Sequence, residues 1–226
     1  GSYASRSTVL AGGAAHKAGK EVREKLLKAA GFLMDCEILE LKIEDGVVRQ
    51  PATNKVLSFR DIGRAIYSEM GRFPLALRQE LDLQATSFYD PEFGTTTSAT
   101  HIATVDIDPE TFEVRVLRYV AAEDCGRVIN PQIVEGQVQG GVAQGIGVAL
   151  MEEVIHDPQG QIFTASLVDY LVPSAAEVPS IEAVHLEALA AGTIGGYRGM
   201  GEGGTIGAPA AVANAIADAL SHLNIN

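Results

Sequence analysis

Apolar residues recur at spacings of three and four between residues 14 and 34. Ala18, Val22, Leu26, Ala29 and Leu33 form one stripe, and Lys17, Lys20, Glu21, Glu24 and Lys28 lie off it. That period predicts a long amphipathic helix. Residues 1–13 before it are small and polar, with Ser2, Ser5, Ser7 and Thr8 around Arg6, then Gly12-Gly13. This composition suits a frayed N-terminus, although hydroxyls placed before a helix also suit phosphate or pterin-like heteroatoms. The pattern then changes to period two. Leu39, Leu41 and Ile43 alternate with Glu40, Lys42 and Glu44, and Asp45-Gly46 turns the chain into Val47-Val48. Alternation around such a dipeptide predicts a hairpin. A short strand near Val56–Phe59 leads into a helix around 60–69.

Residues 82–100 carry no period and are rich in Thr, Ser, Asp and Gly, which predicts an extended loop. A second hairpin follows: Ala103, Val105 and Ile107 alternate with polar residues, Pro109–Thr111 turns, and Val114 and Val116 return. Asn130 is then a good N-cap, and Pro131 fits the first helical position. The helix they open contains Gly136, Gly140, Gly141, Gly145 and Gly147. Each mid-helix glycine costs about 1 kcal/mol relative to alanine, so something must press close to this backbone. Gln137 and Gln144 stand on one face with Gly141 between them. Two readings remain open: a tightly packed interior helix whose glutamines bond neighbouring backbone, or a glycine face that admits a cofactor. Asp157–Gly160 reads as a turn, Ile181–Leu186 as a strand, and Val212, Ile216, Leu220 and Leu223 as the stripe of a closing helix. No repeat and no linker divides the chain. The elements predict an α+β fold, with sheets built from hairpins and helices packed on them.

Composition narrows the function classes. With 46% hydrophobic and 20% charged residues the chain is ordinary globular material. Its 17 basic against 29 acidic residues give a net charge of −12, which argues against general binding to nucleic acid or anionic membrane. No apolar run approaches the roughly 18 residues of a membrane span, and no signal peptide is visible. The two cysteines, Cys36 and Cys125, are expected as reduced thiols in a cytoplasmic protein. The five histidines are scattered with no H-E-x-x-H or C-x-x-C, so a metal held by protein side chains is not expected. Nor is there a G-x-S-x-G for a serine hydrolase.

The stretch Gly199-Met200-Gly201-Glu202-Gly203-Gly204-Thr205-Ile206-Gly207-Ala208-Pro209 concentrates the candidate chemistry. One carboxylate sits among glycines, ahead of a proline where a helix begins. Gly199, Gly201 and Gly204 spell G-x-G-x-x-G, but a dinucleotide site also needs a βαβ unit and an acidic residue about 20 positions on. That position is Asp218, inside the closing helix, so the dinucleotide reading fails. Backbone N–H groups at a helix start suit an anion, and a glutamate there is not placed to bind one. It caps the helix, acts as a general base, or is an acidic residue in a surface loop.

Asp124-Cys125-Gly126-Arg127-Val128-Ile129-Asn130-Pro131, Glu135-Gly136-Gln137-Val138 and Gly141-Val142-Ala143-Gln144-Gly145-Ile146-Gly147 resemble the molybdenum-binding large subunit of the xanthine oxidase family. The resemblance is nearest to the bacterial carbon monoxide dehydrogenase-like branch of this family, which also includes the aldehyde oxidases. Gly201-Glu202-Gly203-Gly204-Thr205-Ile206-Gly207-Ala208-Pro209 resembles that family's glutamate motif, and Ser5-Arg6-Ser7-Thr8 its small-residue cofactor loop. The motifs keep the family's order over nearly the whole chain.

The resemblance implies a single molybdopterin-binding domain over 1–226, the C-terminal portion of a molybdenum hydroxylase subunit. It implies oxidative hydroxylation of an aldehyde or N-heteroaromatic carbon, with water as the oxygen source and Glu202 as general base. A molybdenum–pterin cofactor, in its cytosine dinucleotide form, would be held by Ala4, Ser5, Arg6, Ser7, Thr8, Gln137, Gln144 and Gly201. FAD and an iron–sulfur (2Fe-2S) centre are expected on partner subunits, beside the remaining N-terminal portion of the molybdenum subunit. The alternatives are carbon monoxide dehydrogenase-like oxidation and a non-catalytic assembly or scaffold protein of the same fold. Two departures stand out. Family large subunits are several times longer, and Arg198 stands where the family commonly has lysine, bringing a planar fork in place of a point charge.

Overall fold

A computed structural model describes residues 3–92 and 95–223. Gly1 and Ser2 of the small polar stretch, and Phe93 and Gly94 of the expected loop, lie outside the described residues. The molybdopterin-binding domain expected over 1–226 comprises two compact units. One is Ala11–Asp90, and the other joins Gly1–Leu10 to Pro91–Asn226. The boundary at Asp90 falls inside the loop stretch, where no change of composition marks it.

Helix α1 runs Ser7–Met34, so it begins seven residues before the start expected at residue 14. Ser7, Thr8, Gly12 and Gly13 have little apolar surface to show a period, and the helix continues through them. In the smaller unit α1 buries Leu26, Ala29, Ala30 and Met34 against Val48 and Ile66. Strands β1 (Lys42–Glu44), β2 (Val47–Gln50) and β3 (Lys55–Ser58) form an antiparallel meander. Asp45 and Gly46 both take positive φ, 48° and 77°, as the two-residue hairpin turn requires. The period-two reading overreached at Leu39. Ile38–Glu40 is a 3-10 turn with Leu39 99% exposed, because three alternating residues fit a tight turn as well as a strand. Helix α2 (Phe59–Ser68) starts at Ser58, whose side chain accepts from the Asp61 N–H, and the four-residue α3 (Leu75–Arg78) follows.

The larger unit holds the second sheet. Strands β4 (Ser98–Ile107) and β5 (Val114–Asp124) pair antiparallel, with a register shift at Thr104/Val105. Helix α4 (Pro131–Leu150) is capped as expected, the Asn130 side chain accepting from the Ile133 N–H. Strand β6 (Ile181–Leu186) then pairs parallel to β5, Tyr119 opposite Ile181 and Asp124 opposite Leu186. The α+β class holds, but hairpins do not build this whole sheet. Parallel neighbours need a long crossover, and α4 with the irregular residues after it supplies one. Among the described residues no helix is long and apolar enough to cross a membrane.

The chain closes with α5 (Gly203–Ile206) and α6 (Ala208–Ala219), the latter with Pro209 in its first turn. Tyr119 and Ala121 of β5, Val138, Val142 and Ile146 of α4, and Ala208 and Val212 of α6 share one core. Two members of the expected closing stripe lie beyond α6: Leu220 is its C-cap and Leu223 is 52% exposed.

Candidate functional site

Glu202 stands at the N-terminus of α5, and its side chain makes no capping hydrogen bond. Of the roles open to a glutamate there, capping is therefore not the one it takes. Its carboxylate is exposed, and Oε2 accepts a hydrogen bond of 3.1 Å from the Ser5 hydroxyl. The backbone brings this contact about. Ala4 and Ser5 both adopt left-handed φ, 52° and 51°, a region that non-glycine residues enter at a cost of about 1–3 kcal/mol each. The turn they make lays both carbonyls against Gly199, where a Cβ would lie 2.6 Å from the Ser5 oxygen and 2.8 Å from that of Ala4. Only glycine permits so close an approach.

The amide of Gln137, on α4, donates a 3.0 Å hydrogen bond to the Gly201 carbonyl and leaves its own carbonyl oxygen able to accept. Ser5, Gln137, Gly201 and Glu202 thus meet, although they come from three separate stretches of the chain. Ala4 joins them through its backbone. Arg6 turns to Tyr3 instead, its guanidinium bonded to the phenol oxygen and 4.1 Å from the ring centroid. Ser7 and Thr8 are exposed in the first turn of α1, where N–H groups and the helix dipole favour an anion. Gln144 is exposed on α4 and hydrogen-bonds to none of the other candidate residues.

The glycines of α4 divide by face. A Cβ at Gly141 would lie 2.8 Å from the Thr205 nitrogen, and one at Gly145 would lie 2.3 Å from the Ala208 Cβ. These two let α5 and α6 pack directly on the helix backbone. Gly136 and Gly140 have no neighbour within 4 Å. They share the exposed flank with Gln137 and Gln144, so it is Gly140, not Gly141, that lies open between the glutamines. One helix therefore carries a close-packed glycine face and an open one.

The Asp124–Arg127 motif ties the glutamate loop to the sheet. Asp124 Oδ1 accepts from the N–H groups of Gly126 (2.9 Å) and Ala188 (3.1 Å), and the Arg127 N–H donates to the Gly196 carbonyl (3.0 Å). The Arg198 N–H reaches the Cys125 carbonyl at 2.8 Å, and Gly199 forms a bridge with Thr96. The Arg198 guanidinium donates to the backbone carbonyls of Thr96 (3.4 Å) and Ala188 (3.5 Å), which makes use of its planar fork.

Beneath the loop lies a polar cluster that sequence reasoning missed. His101 Nδ1 is 2.8 Å from the Tyr119 hydroxyl, and burial lowers the His101 pKa, partly offset by the Gly203 backbone. Burial likewise pushes Tyr119 up to about 12. Glu123 is 1% exposed, and burial pushes its carboxyl above the usual range. The available signal was strand phase: Tyr119, Ala121 and Glu123 follow one another at period two on the face turned to the helices.

Residues 1–179 match the molybdopterin cofactor-binding domain family. Among curated relatives, the nicotine 6-hydroxylase large subunit of Paenarthrobacter nicotinovorans is 37% identical over 98% of this chain and 27% of its own length. The carbon monoxide dehydrogenase large chain of Hydrogenophaga pseudoflava is 32% identical over 100% of this chain and 28% of its own. Among solved structures, quinoline 2-oxidoreductase from Pseudomonas putida 86 superposes with a TM-score of 0.85 at 42% identity, covering 100% of this chain and 28% of that one. The chain thus spans a little over a quarter of the length of each of these three relatives. Match, order of motifs and superposition agree: this chain belongs to the molybdopterin cofactor-binding domain family of molybdenum-hydroxylase large subunits.

Proposed function

We propose that residues 1–226 form the C-terminal, molybdopterin-binding portion of a cytoplasmic molybdenum hydroxylase subunit, with Glu202 as its general base. The observation that carries this reading is the exposed Glu202 carboxylate, released from capping and oriented by the Ser5 hydroxyl. A general base needs an accessible lone pair in a defined place, and this geometry provides one.

The residues present fit a pterin nucleotide. Hydroxyls of Ser5, Ser7 and Thr8, the Arg6 guanidinium, and the amides of Gln137 and Gln144 are donors suited to ring heteroatoms and phosphate. The open flank at Gly136 and Gly140 leaves room for a flat group to lie against α4. When bound, the molybdenum–pterin cofactor supplies the two-electron oxidation. The chain's own part is to bind and orient: Ala4 and Gly201 through backbone, Ser5 by holding Glu202, and Gln137 by holding the loop at Gly201. Glu202 removes the proton that turns water-derived oxygen into a nucleophile. The cytosine dinucleotide form belongs to this reading through family likeness.

An N-heteroaromatic carbon is the favoured substrate class, ahead of carbon monoxide. The relatives named for nicotine and quinoline share more identity with this chain than the carbon monoxide dehydrogenases do. Partners follow from the same reading: the N-terminal portion of the molybdenum subunit, and iron–sulfur and FAD subunits to carry electrons away. Phe163, Leu167 and Val168 are 61%, 75% and 84% exposed, apolar surface of the kind another polypeptide covers.

The test is metal and pterin analysis of two preparations. The complete complex is expected to carry stoichiometric molybdenum with a pterin nucleotide and to hydroxylate an N-heteroaromatic. The isolated chain is expected to lack molybdenum and turnover. Molybdenum-free complex would favour the scaffold alternative, and stoichiometric metal with turnover in the isolated chain would refute the need for the missing portion.

A further inference from the structure

The carboxyl group of Glu123 takes no part in the chemistry assigned to Glu202, yet it lies against the very next residue. Glu123 sits near the end of β5, 1% exposed, and neither carboxyl oxygen has a hydrogen-bond partner among the described residues. Burying a carboxyl group without a partner is unfavourable, and an apolar side chain would fill this face without that penalty. His185, opposite Glu123 on β6, has a buried and unpartnered Nδ1. The polar residues on this face of the sheet are therefore held at a cost to stability.

What the carboxyl touches defines its role. A Cβ on Gly203 would lie 2.5 Å from Glu123 Oε2 and 2.9 Å from its Cδ, so the carboxyl fills the space a side chain at 203 would take. On the other side of the turn, a Cβ on Gly204 would lie 2.6 Å from the Val138 carbonyl oxygen. The short helix α5 is thus clamped between the backbone of α4 and two side chains from the sheet, Glu123 and His101, a Cβ on Gly207 at its C-terminal end lying 2.8 Å from His101 Cδ2. Glu202 is the residue that leads into it.

We propose that Glu123 is a positioning residue for Glu202: its carboxyl group, wedged against Gly203, sets the seat of the helical turn that carries the Glu202 carboxylate. The effect on turnover rests on Glu202 being the base; the effect on the turn does not. Burial raises the pKa of the Glu123 carboxyl group above the usual range.

The test uses the complete complex with three single variants, Glu123→Asp, Glu123→Gln and Gly203→Ala, and the double variant Glu123→Asp/Gly203→Ala. Turnover, KM, molybdenum content and amide hydrogen exchange over residues 200–206 are read in each. Gly203→Ala drives a methyl group into the carboxyl and is expected to speed exchange and lower kcat at least tenfold, with KM and molybdenum little changed. A displacement of about 1 Å at a reacting group costs on the order of 10²-fold. Glu123→Asp withdraws the carboxyl and loosens the turn. In the double variant the shorter side chain makes room for the methyl group, so both exchange and kcat recover toward wild type. Glu123→Gln keeps the shape and the seat. Failure of the double variant to recover, or a Gln variant as loose as Gly203→Ala, would overturn the proposal. Rescue in exchange with kcat at wild-type level throughout would uphold the seat and overturn Glu202 as the base.

Discussion

Ser5 Oγ donates to Glu202 Oε2 at 3.1 Å across 197 residues of sequence. The contact joins the N-terminal turn to the glutamate loop, and it exists because two left-handed residues turn the chain back against Gly199. Replacing Ser5 by alanine removes the hydroxyl and keeps the backbone. A hydrogen bond of this kind is worth about 1 kcal/mol net, so a roughly fivefold fall in kcat is expected, with folding unaffected. Steady-state kinetics at full molybdenum occupancy check this. An unchanged kcat would remove Ser5 from the orientation of Glu202.

Glu202→Gln keeps size and polarity and removes the basic lone pair. Because the native side chain caps nothing and is exposed, the substitution leaves α5 and the core intact. General-base catalysis contributes about 10² to 10⁴ in rate, and a loss of that order is expected with cofactor retained. Near-native turnover in molybdenum-replete enzyme would refute the base assignment.

Local chemistry was legible in the sequence wherever a few adjacent residues decide the outcome. Asn130-Pro131 marked the start of α4 and Asp45-Gly46 marked a hairpin, because caps and tight turns depend on their own side chains and φ. Strand β6 was legible as a strand, yet its parallel pairing with β5 was not, since pairing across a long crossover leaves no local signal. Leu39 was misplaced for the opposite reason: a short alternation has several local solutions. The meeting of Ser5 with Glu202 came from family likeness alone, because nothing in either stretch names the other. Glu123 was missed because its interest lies in what faces it, and that is set by the packing of α5 on the sheet.

Gly140 and Gly141 are adjacent in sequence and opposite in consequence. Gly141→Ala places a methyl group 2.8 Å from the Thr205 nitrogen and 2.9 Å from the Gly204 carbonyl carbon, backbone atoms with little room to move. Overpacking of this kind costs about 1–3 kcal/mol, more than the roughly 1 kcal/mol gained in helix propensity. At Gly140 nothing lies within 4 Å, so Gly140→Ala is expected to raise stability by up to about 1 kcal/mol. Gly140→Leu adds bulk to the flank proposed for the cofactor and is expected to lower molybdenum content without lowering the melting temperature. Equal melting of the Gly140 and Gly141 alanine variants would refute the division of faces.

The last expectation concerns Glu123 and pH. Its folded-state pKa is raised by burial, so the folded protein keeps a proton that the unfolded chain loses near the ordinary glutamate value of about 4.3. Over the window from that value up to the folded pKa, the unfolded state binds fewer protons. Stability must therefore fall as pH rises through it. Glu123→Gln cannot titrate and escapes this loss. The variant is expected to melt close to wild type at about pH 4 and progressively above it as pH rises towards the folded pKa of Glu123. The groups around Glu123 are His185 on β6, His101 and Tyr119 on the same face of the sheet, and the adjoining Asp124 and Cys125. His101 is depressed by burial, so its own contribution is lost as pH falls, the opposite sign to that of Glu123. It is present in both proteins and cancels in the difference. Melting curves of the complete complex, wild type against Glu123→Gln across this range, measure that difference directly. A gap that does not change with pH would mean that Glu123 holds its ordinary pKa in the folded protein.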